Sequence, residues 1–115
     1  MYLKRAVFFA ALLTVAGLTL YAQDGYTGPG PEPITVEEAK NLRDDSPVTL
    51  RGKIERFLGD EKYLFSDDSG SIIVEIDNRL WNGVSVNQND TVEIIGEIDK
   101  DFKGIEVEAS SIKKV

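Results

Sequence analysis

Residues 63–77 read YLFSDDSGSIIVEID and predict the hairpin around which the other strands close. Two runs rich in aromatic and β-branched residues flank the cluster SDDSG, whose Ser, Asp and Gly residues favour a tight turn. The second run, IIVEID, alternates in part between apolar and acidic residues, as a half-buried strand does. The stretch therefore predicts two antiparallel strands joined by a loop that begins at Asp67 and ends at Gly70.

The position of this loop fixes which side chains share a face of the hairpin. The predicted inner face carries Tyr63, Phe65, Ile72, Val74 and Ile76. On the outer face Leu64 lies opposite Ile73, and Lys62 lies opposite Glu75, as cross-strand pairs. A slip of one residue would exchange the two faces, so the register is a sharp prediction.

The first 22 residues have the three parts of a secretory signal peptide. Lys4 and Arg5 precede an uncharged apolar run over residues 6–20, and the small residue Ala22 ends the segment. We expect cleavage near Ala22, which exports the protein and leaves it without a stable membrane span. The alternative is an uncleaved anchor, although the run is short for a spanning helix.

The composition limits the chemistry that the chain can perform. It contains no Cys and no His, which excludes disulfides, a lipid anchor at a cleavage-site Cys, and Ser-His or Cys-His nucleophiles. Without Cys and His, the chain lacks the usual protein ligands of zinc and copper. The acidic residues around Asp67 and Asp77 do not follow the order of ligands in a calcium-binding EF-hand loop. We expect no catalysis, no cofactor and no specific metal site; weak calcium association stays open.

The charge of the chain argues against nucleic-acid partners. Removing residues 1–22 takes away Lys4 and Arg5 and no acid, so the formal net charge changes from −7 to −9. An acidic domain repels phosphate backbones, and proteins draw most of their nucleic-acid affinity from Lys and Arg. The charge instead favours cationic partners, neutral ligands or simple solubility.

Residues 23–33 read QDGYTGPGPEP and predict a flexible leader, because Gly and Pro dominate them. A short helix follows over residues 34–43. Thr35 is its N-cap, and Glu38 completes the T-x-x-E capping box. Val36 and Ala39 lie on one apolar stripe, which we expect to cover one end of the sheet.

The remaining elements of residues 34–115 complete one all-β domain. Alternating patterns predict further strands over residues 48–57, 91–99 and 104–115, and a helical turn around Trp81 that Gly83 closes. Glycines within the first and fourth strands, Gly52 and Gly96, indicate sharp bends or close backbone approach. With the short N-terminal capping helix, and the helical turn between strands three and four, the order predicts a five-stranded OB-fold Greek-key barrel.

On the first strand, the alternation sends four side chains outward: Thr49, Arg51, Lys53 and Glu55. Because the first strand pairs with the fourth in an OB-fold, Arg51 and Lys53 then lie near Glu93 and Glu97. Cross-strand charge pairing explains the two basic residues better than a phosphate site does.

An OB-fold binds its ligands on strands two and three, which here present Leu64 and Ile73 as an apolar pair. The predicted site is completed by Lys62, Glu75 and Asp77 around this pair, and by Phe57 and Phe102 from the neighbouring loops. Apolar contact ringed by acids suits a cationic peptide, another small ligand or a cell-wall fragment. Alternatively, the N-terminal helix or leader covers the pair.

Two other partners remain open at this stage. An envelope protein is the alternative occupant of the same face, and single-stranded nucleic acid, which follows from the general fold alone, is the weaker one. Tyr63 and Trp81 are predicted to belong to the core, because their neighbours are apolar.

Several motifs resemble one bacterial family. They are the DDSG turn at residues 67–70, IIVEID at 72–77, Trp81 with Gly83, and GEIDKD at 96–101. Together with the N-terminal helix and signal peptide they resemble the bacterial OB-fold (BOF) family, in particular its exported YgiW/YdeI stress-tolerance group. The resemblance covers residues 33–115. It implies a non-catalytic periplasmic domain tied to envelope stress and to tolerance of peroxide, metals or cationic antimicrobial peptides.

Overall fold

The computed structural model describes residues 32–115, in which the strands form a closed barrel in the order β1-β2-β3-β5-β4. The strands are β1 Pro47–Gly59, β2 Lys62–Asp67, β3 Gly70–Glu75, β4 Val92–Asp101 and β5 Gly104–Lys114. All neighbouring strands are antiparallel except β3 and β5, which are parallel. The predicted five-stranded OB-fold barrel is confirmed.

The predicted signal peptide and most of the predicted leader lie outside the described residues. Glu32 and Pro33, the last two residues of that leader, are exposed. Within residues 32–115, no helix has the length and apolarity needed to span a bilayer.

The β2–β3 hairpin has the predicted register. Leu64 pairs with Ile73, Lys62 with Glu75, and Asp67 with Gly70 at the turn. The inner face supplies the centre of the core, where Phe65, Ile72, Val74 and Ile76 are buried. Alternation and turn chemistry suffice here because both are local properties of the chain.

The predicted helix is present but shorter than expected. Helix α1 covers Val36–Ala39, whereas the pattern suggested residues 34–43. After Ala39 the backbone tightens, because the amides of Asn41 and Leu42 donate to carbonyls three residues back rather than four. The predicted capping box between Thr35 and Glu38 is formed, with N–H···O distances of 3.0 and 2.9 Å.

Helix α1 closes one end of the barrel. Val36 and Ala39 are fully buried in the core, and the start of the helix contacts the β2–β3 turn. The Val36 amide donates to Asp67 Oδ2 at 2.9 Å, and the Glu37 amide donates to Ser69 Oγ at 3.0 Å. The first amides of a helix have no partner within it, so these side chains satisfy them.

Strand β1 bends where it changes partner. It pairs with β4 up to Gly52 and with β2 from Lys53 onward. A Cβ atom at Gly52 would collide with the Ser66 carbonyl oxygen and lie 2.9 Å from the Phe65 ring, which confirms the predicted close approach.

Two expectations about the outer side of β1 need correction. Thr49 was predicted to face solvent but is only 3% exposed, because the Ile34 amide donates to its carbonyl at 3.0 Å and brings the preceding segment alongside β1. Lys53 does not meet Glu97, because Lys53 lies beyond the last β1–β4 pair and faces Ser66 of β2.

The ion pair predicted between Arg51 and Glu93 is formed, with Arg51 Nε 3.0 Å from Glu93 Oε2. Lys113 Nζ lies 3.5 Å from the other carboxylate oxygen of Glu93. Burial raises the pKa of Glu93, but the hydrogen bond from Arg51 and the charge of Lys113 outweigh it, so the pKa is lowered.

The other end of the barrel is closed by the chain between β3 and β4. A 3-10 turn, η1, covers Asn78–Leu80 and is capped by Asp77, whose Oδ1 accepts from the Arg79 amide at 2.9 Å. Gly83, at φ 83°, ends this region, as the sequence predicted. Glu61 ties η1 to the β1–β2 loop by accepting from the amides of Ile76 and Asn78, both at 2.8 Å.

Candidate ligand-binding face

Leu64 and Ile73 form an adjacent, half-buried apolar pair on the outer side of the barrel. Arg56 of β1 lies opposite Leu64, and Glu106 of β5 lies beside Ile73. We call the surface formed by Leu64, Ile73, Lys62, Glu75 and Glu106 the β2–β3 face. Helix α1 binds the β2–β3 turn, three residue pairs away along the hairpin from Leu64 and Ile73.

Lys62, the basic residue of this face, forms an ion pair with Glu106, which the sequence analysis did not include in the site. Lys62 Nζ lies 2.9 and 3.0 Å from the two carboxylate oxygens of Glu106. Because β3 lies between β2 and β5, the ion pair crosses β3 next to Ile73. The hydrogen bond to Glu106, and then its charge, raise the pKa of Lys62. Lys62 still faces Glu75 across the hairpin.

Carboxylates dominate the sheet beyond this ion pair. In the registers of the β3–β5 and β4–β5 pairs, Glu108 lies between Glu75 and Glu97, and Glu106 lies opposite Asp99. Like charges placed directly opposite each other destabilise a sheet. We call these residues, Glu75, Glu97, Asp99, Glu106 and Glu108, the carboxylate rim. Their mutual repulsion destabilises the sheet and gives the face a negative electrostatic potential.

A shallow cavity of about 250 Å³ adjoins the face. Lys62, Ile73 and Glu106 form one side, and the β4–β5 loop forms the other. At the tip of that loop Phe102 is 94% exposed, with Lys103 Nζ 5.9 Å from its ring centroid. The cavity is lined by Asp101 and Lys103, on either side of Phe102 in the chain, but not by Phe102 itself, so its predicted flanking role stays a prediction.

Asp77 has a structural role beside its predicted place in the site. Its carboxylate accepts from Arg79 Nε at 3.0 Å and from the second guanidinium nitrogen at 2.8 Å. The side-chain hydrogen bond with Arg79, joined by that from the Arg79 amide, lowers the pKa of Asp77 to about 2. This carboxylate is therefore already paired at the end of β3.

Phe57 lies away from the apolar pair. An irregularity in β1 between Ile54 and Arg56 shifts the pairing by one residue, so Phe57 faces Tyr63 instead of Lys62, which shares the outer face with Leu64. The Phe57 and Tyr63 rings are 5.1 Å apart, and the Tyr63 and Trp81 rings are 5.5 Å apart. Regular alternation could not reveal this, because the irregularity leaves no clear mark in the sequence.

Tyr63 and Trp81, which we predicted in the core, are only partly buried. With Phe57 they line the aromatic groove, a depression of about 590 Å³ between the end of β1 and the connection from β3 to β4. The side chains of Asn87 and Gln88 line it as well. The sequence analysis assigned Tyr63 and Trp81 to the core because their neighbours in the chain are apolar, and it therefore did not predict this groove.

Asp67 of the hairpin turn binds backbone amides, as the turn chemistry predicted. Asp67 Oδ1 accepts from the Ser69 amide at 2.8 Å and from Ser69 Oγ at 2.6 Å. Within residues 32–115, no group of three or more acidic, His or Cys side chains is placed to hold a metal ion.

Residues 15–114 match the profile of the family described as Bacterial OB fold (BOF) protein. The chain belongs to this family. The resemblance that the hairpin, Trp81 and GEIDKD motifs indicated is confirmed.

Three comparisons give the similarity of this chain to known members of the family in sequence and in structure. Protein YgiW of Escherichia coli K12 is 54% identical over 81 residues, which are 70% of this chain and 62% of YgiW. The matched part therefore spans less than two thirds of that relative. The calcium-regulated OB-fold protein CarO of Pseudomonas aeruginosa is 35% identical over 117 residues, covering 100% of this chain and 99% of CarO.

The solved structure of E. coli YgiW superposes with a TM-score of 0.73 at 52% identity. It covers 81% of this chain and 100% of the YgiW chain in that structure. The barrel and its connections are thus shared with a relative of high identity.

Proposed function

We propose that this protein is an exported, non-enzymatic binding module of the bacterial envelope, and that its β2–β3 face takes a cationic amphipathic peptide. The observation that carries the proposal is the Leu64–Ile73 pair beside a carboxylate rim. Apolar side chains of a peptide would cover the pair, and its Lys or Arg side chains would meet the carboxylates. A role in envelope stress tolerance rests on the family resemblance and on the predicted signal peptide.

The balance of charge supports a cationic ligand over an anionic one. Lys62 is already paired with Glu106, whereas Glu75, Glu97 and Glu108 lie side by side on three neighbouring strands. A cationic ligand relieves the repulsion between them, so part of its binding free energy comes from strain in the unbound sheet. A phosphate backbone would add to that repulsion.

The test is a titration of the purified protein with a synthetic amphipathic peptide made of Leu and Lys. Replacing the apolar pair, Leu64→Ser with Ile73→Ser, should weaken binding by about tenfold or more, the equivalent of about 1.4 kcal/mol. The matched control is Leu58→Ser, an exposed apolar residue at the end of β1, which should leave the affinity unchanged. Added salt should weaken binding, because screening reduces attraction between exposed charges.

Other probes decide between this ligand and the alternatives. If a muramyl peptide binds at the pair and the cationic peptide does not, the ligand is a cell-wall fragment. If a single-stranded DNA oligonucleotide binds at low salt, the electrostatic argument is wrong. If the purified protein binds none of these probes, a docking role on another envelope protein replaces the ligand-binding role.

A further inference from the structure

The aromatic groove is separate from the β2–β3 face, and the proposed function does not use it. Phe57, Tyr63 and Trp81 line the groove together with Asn87 and Gln88 from the connection between β3 and β4. Phe57 is 62% exposed, although it packs on Tyr63. An aromatic side chain left this open contributes little to the core and leaves its apolar surface available to a ligand.

The spacing of the rings suits a particular backbone conformation. The rings follow one another at 5.1 and 5.5 Å between centroids, tilted at 47° and 71°, so they form ridges and not a flat stack. One turn of a polyproline II helix, which rises roughly 3.1 Å per residue with three residues per turn, is similar in length to the two ring spacings laid end to end. Proline-rich segments dock in grooves lined by aromatic residues in this way.

The groove also offers hydrogen-bond donors. Within residues 32–115, neither the Tyr63 hydroxyl nor the Trp81 indole N–H has a protein partner. Asn87 Oδ1 accepts from the Asn89 amide, which leaves its NH₂ group to donate, and the Gln88 amide side chain is exposed. Polyproline II backbone has no internal hydrogen bonds, so its carbonyls need such donors.

The charge of the groove fits an uncharged ligand. Its charged lining residues are Glu55 and Arg56, which have opposite signs. The β2–β3 face is instead dominated by carboxylates. A neutral proline-rich segment therefore matches the groove better than the cationic peptide proposed for that face.

Strand addition is the other way in which an extended peptide binds next to a sheet, and β1 opposes it. Beyond Gly52 this strand has no β4 partner on its second edge. However, the irregularity between Ile54 and Arg56 interrupts the regular ladder there, and Lys53 and Glu55 on this stretch are exposed charges. Bulges and charges are the features by which proteins prevent edge pairing.

From these observations we propose that the aromatic groove binds a proline-rich peptide segment in the polyproline II conformation. The side chains of Phe57, Tyr63 and Trp81 hold the proline rings, and the donors of Tyr63, Trp81 and Asn87 bind the carbonyls. This inference is independent of the proposed function, because it uses other residues and an uncharged ligand.

The test is an NMR titration of the full protein with hexaproline that is acetylated and amidated at its ends. The probe carries no charge, so the acidic surface does not affect its binding. We expect resonances of the Trp81 indole and of residues 54–57 and 85–88 to move with increasing peptide. Phe57→Ala should weaken binding about tenfold, and Tyr63→Phe should weaken it less, since only the hydroxyl is lost.

Phe102→Ala is the matched control, because Phe102 is an exposed aromatic residue outside the groove, in the β4–β5 loop. It should leave the hexaproline affinity unchanged, and Leu64→Ser with Ile73→Ser should do the same. The proposal is wrong if millimolar hexaproline moves none of these resonances, or if Phe57→Ala and Phe102→Ala act equally. It is also wrong if chitotetraose or a strand-forming peptide moves the groove resonances and hexaproline does not.

Discussion

The two ends of the barrel are closed in different ways. At one end helix α1 places Val36 and Ala39 in the core, and Asp67 and Ser69 satisfy its first amides. At the other end a 3-10 turn and a long connection leave Phe57 and its ring partners partly open to solvent. The first we call the helix end, and the second the groove end.

The difference separates residues that hold the fold from residues that are free to bind. At the helix end each carboxylate oxygen of Asp67 has a backbone amide donor, so little is left over for a ligand. At the groove end, aromatic surface and unpaired donors remain beyond what the barrel needs. Binding sites in proteins are commonly built from side chains that the fold does not need for its own stability and that a rigid scaffold holds in place.

The sharpest test of this comparison removes one Phe ring from the core and one from the groove end. Phe65→Ala should lower the free energy of unfolding by about 3–5 kcal/mol, because this fully buried ring leaves a cavity. Phe57→Ala should cost about 1 kcal/mol or less, the worth of one exposed ring contact. Urea denaturation measures both. Equal costs would show that the groove rings belong to the core.

The next largest effect tests the contact between the hairpin turn and α1. Asp67→Ala removes the acceptor for the Val36 amide and for the turn amides, and should cost about 2 kcal/mol. The neighbouring Asp68→Ala is the control. It should change stability by less than about 0.5 kcal/mol, since Asp68 is exposed in the same turn. Similar losses in both variants would mean that the turn conformation alone matters.

The pH dependence of this contact follows from the pKa of Asp67. Burial raises this pKa, but hydrogen bonds from Ser69, Val36 and Gly70 outweigh the burial, so it lies below its ordinary value of 3.8. A depressed carboxyl pKa contributes stability above the unfolded pKa, and this contribution disappears as the pH falls through the folded value.

The stability difference between the natural protein and Asp67→Ala should therefore shrink as the pH decreases below about 4. Urea midpoints at several pH values measure it, and the carboxyls present in both proteins cancel. A difference that stays constant down to pH 2 would contradict a role for the ionised carboxylate.

The smallest effect is expected at the groove end. Arg79→Ala removes an exposed ion pair with Asp77, which solvent largely screens. The backbone amide at position 79 still donates to Asp77 at 2.9 Å, so the 3-10 turn should persist. We expect no measurable change in the urea midpoint. A clear loss would show that this end depends on side-chain pairing as the helix end does.

Most of the fold could be predicted because its signals are local. The hairpin register, the capping box at Thr35 and Glu38, and the close approach at Gly52 each depend on a few adjacent residues. The placement of the apolar pair followed directly from the hairpin register. Its ligand remains a proposal, because complementarity to a partner is not encoded in strand alternation.

The sequence by itself determined the barrel, most of its core side chains and the family, since alternation, caps and turns act within short stretches. Only the tertiary structure decided that Lys62 binds Glu106, 44 residues away, and that Ile34 covers Thr49. It also decided that an irregularity in β1 places Phe57 beside Tyr63. These outcomes depend on how segments that are distant in the chain pair and in which register, and a local sequence pattern does not specify that register.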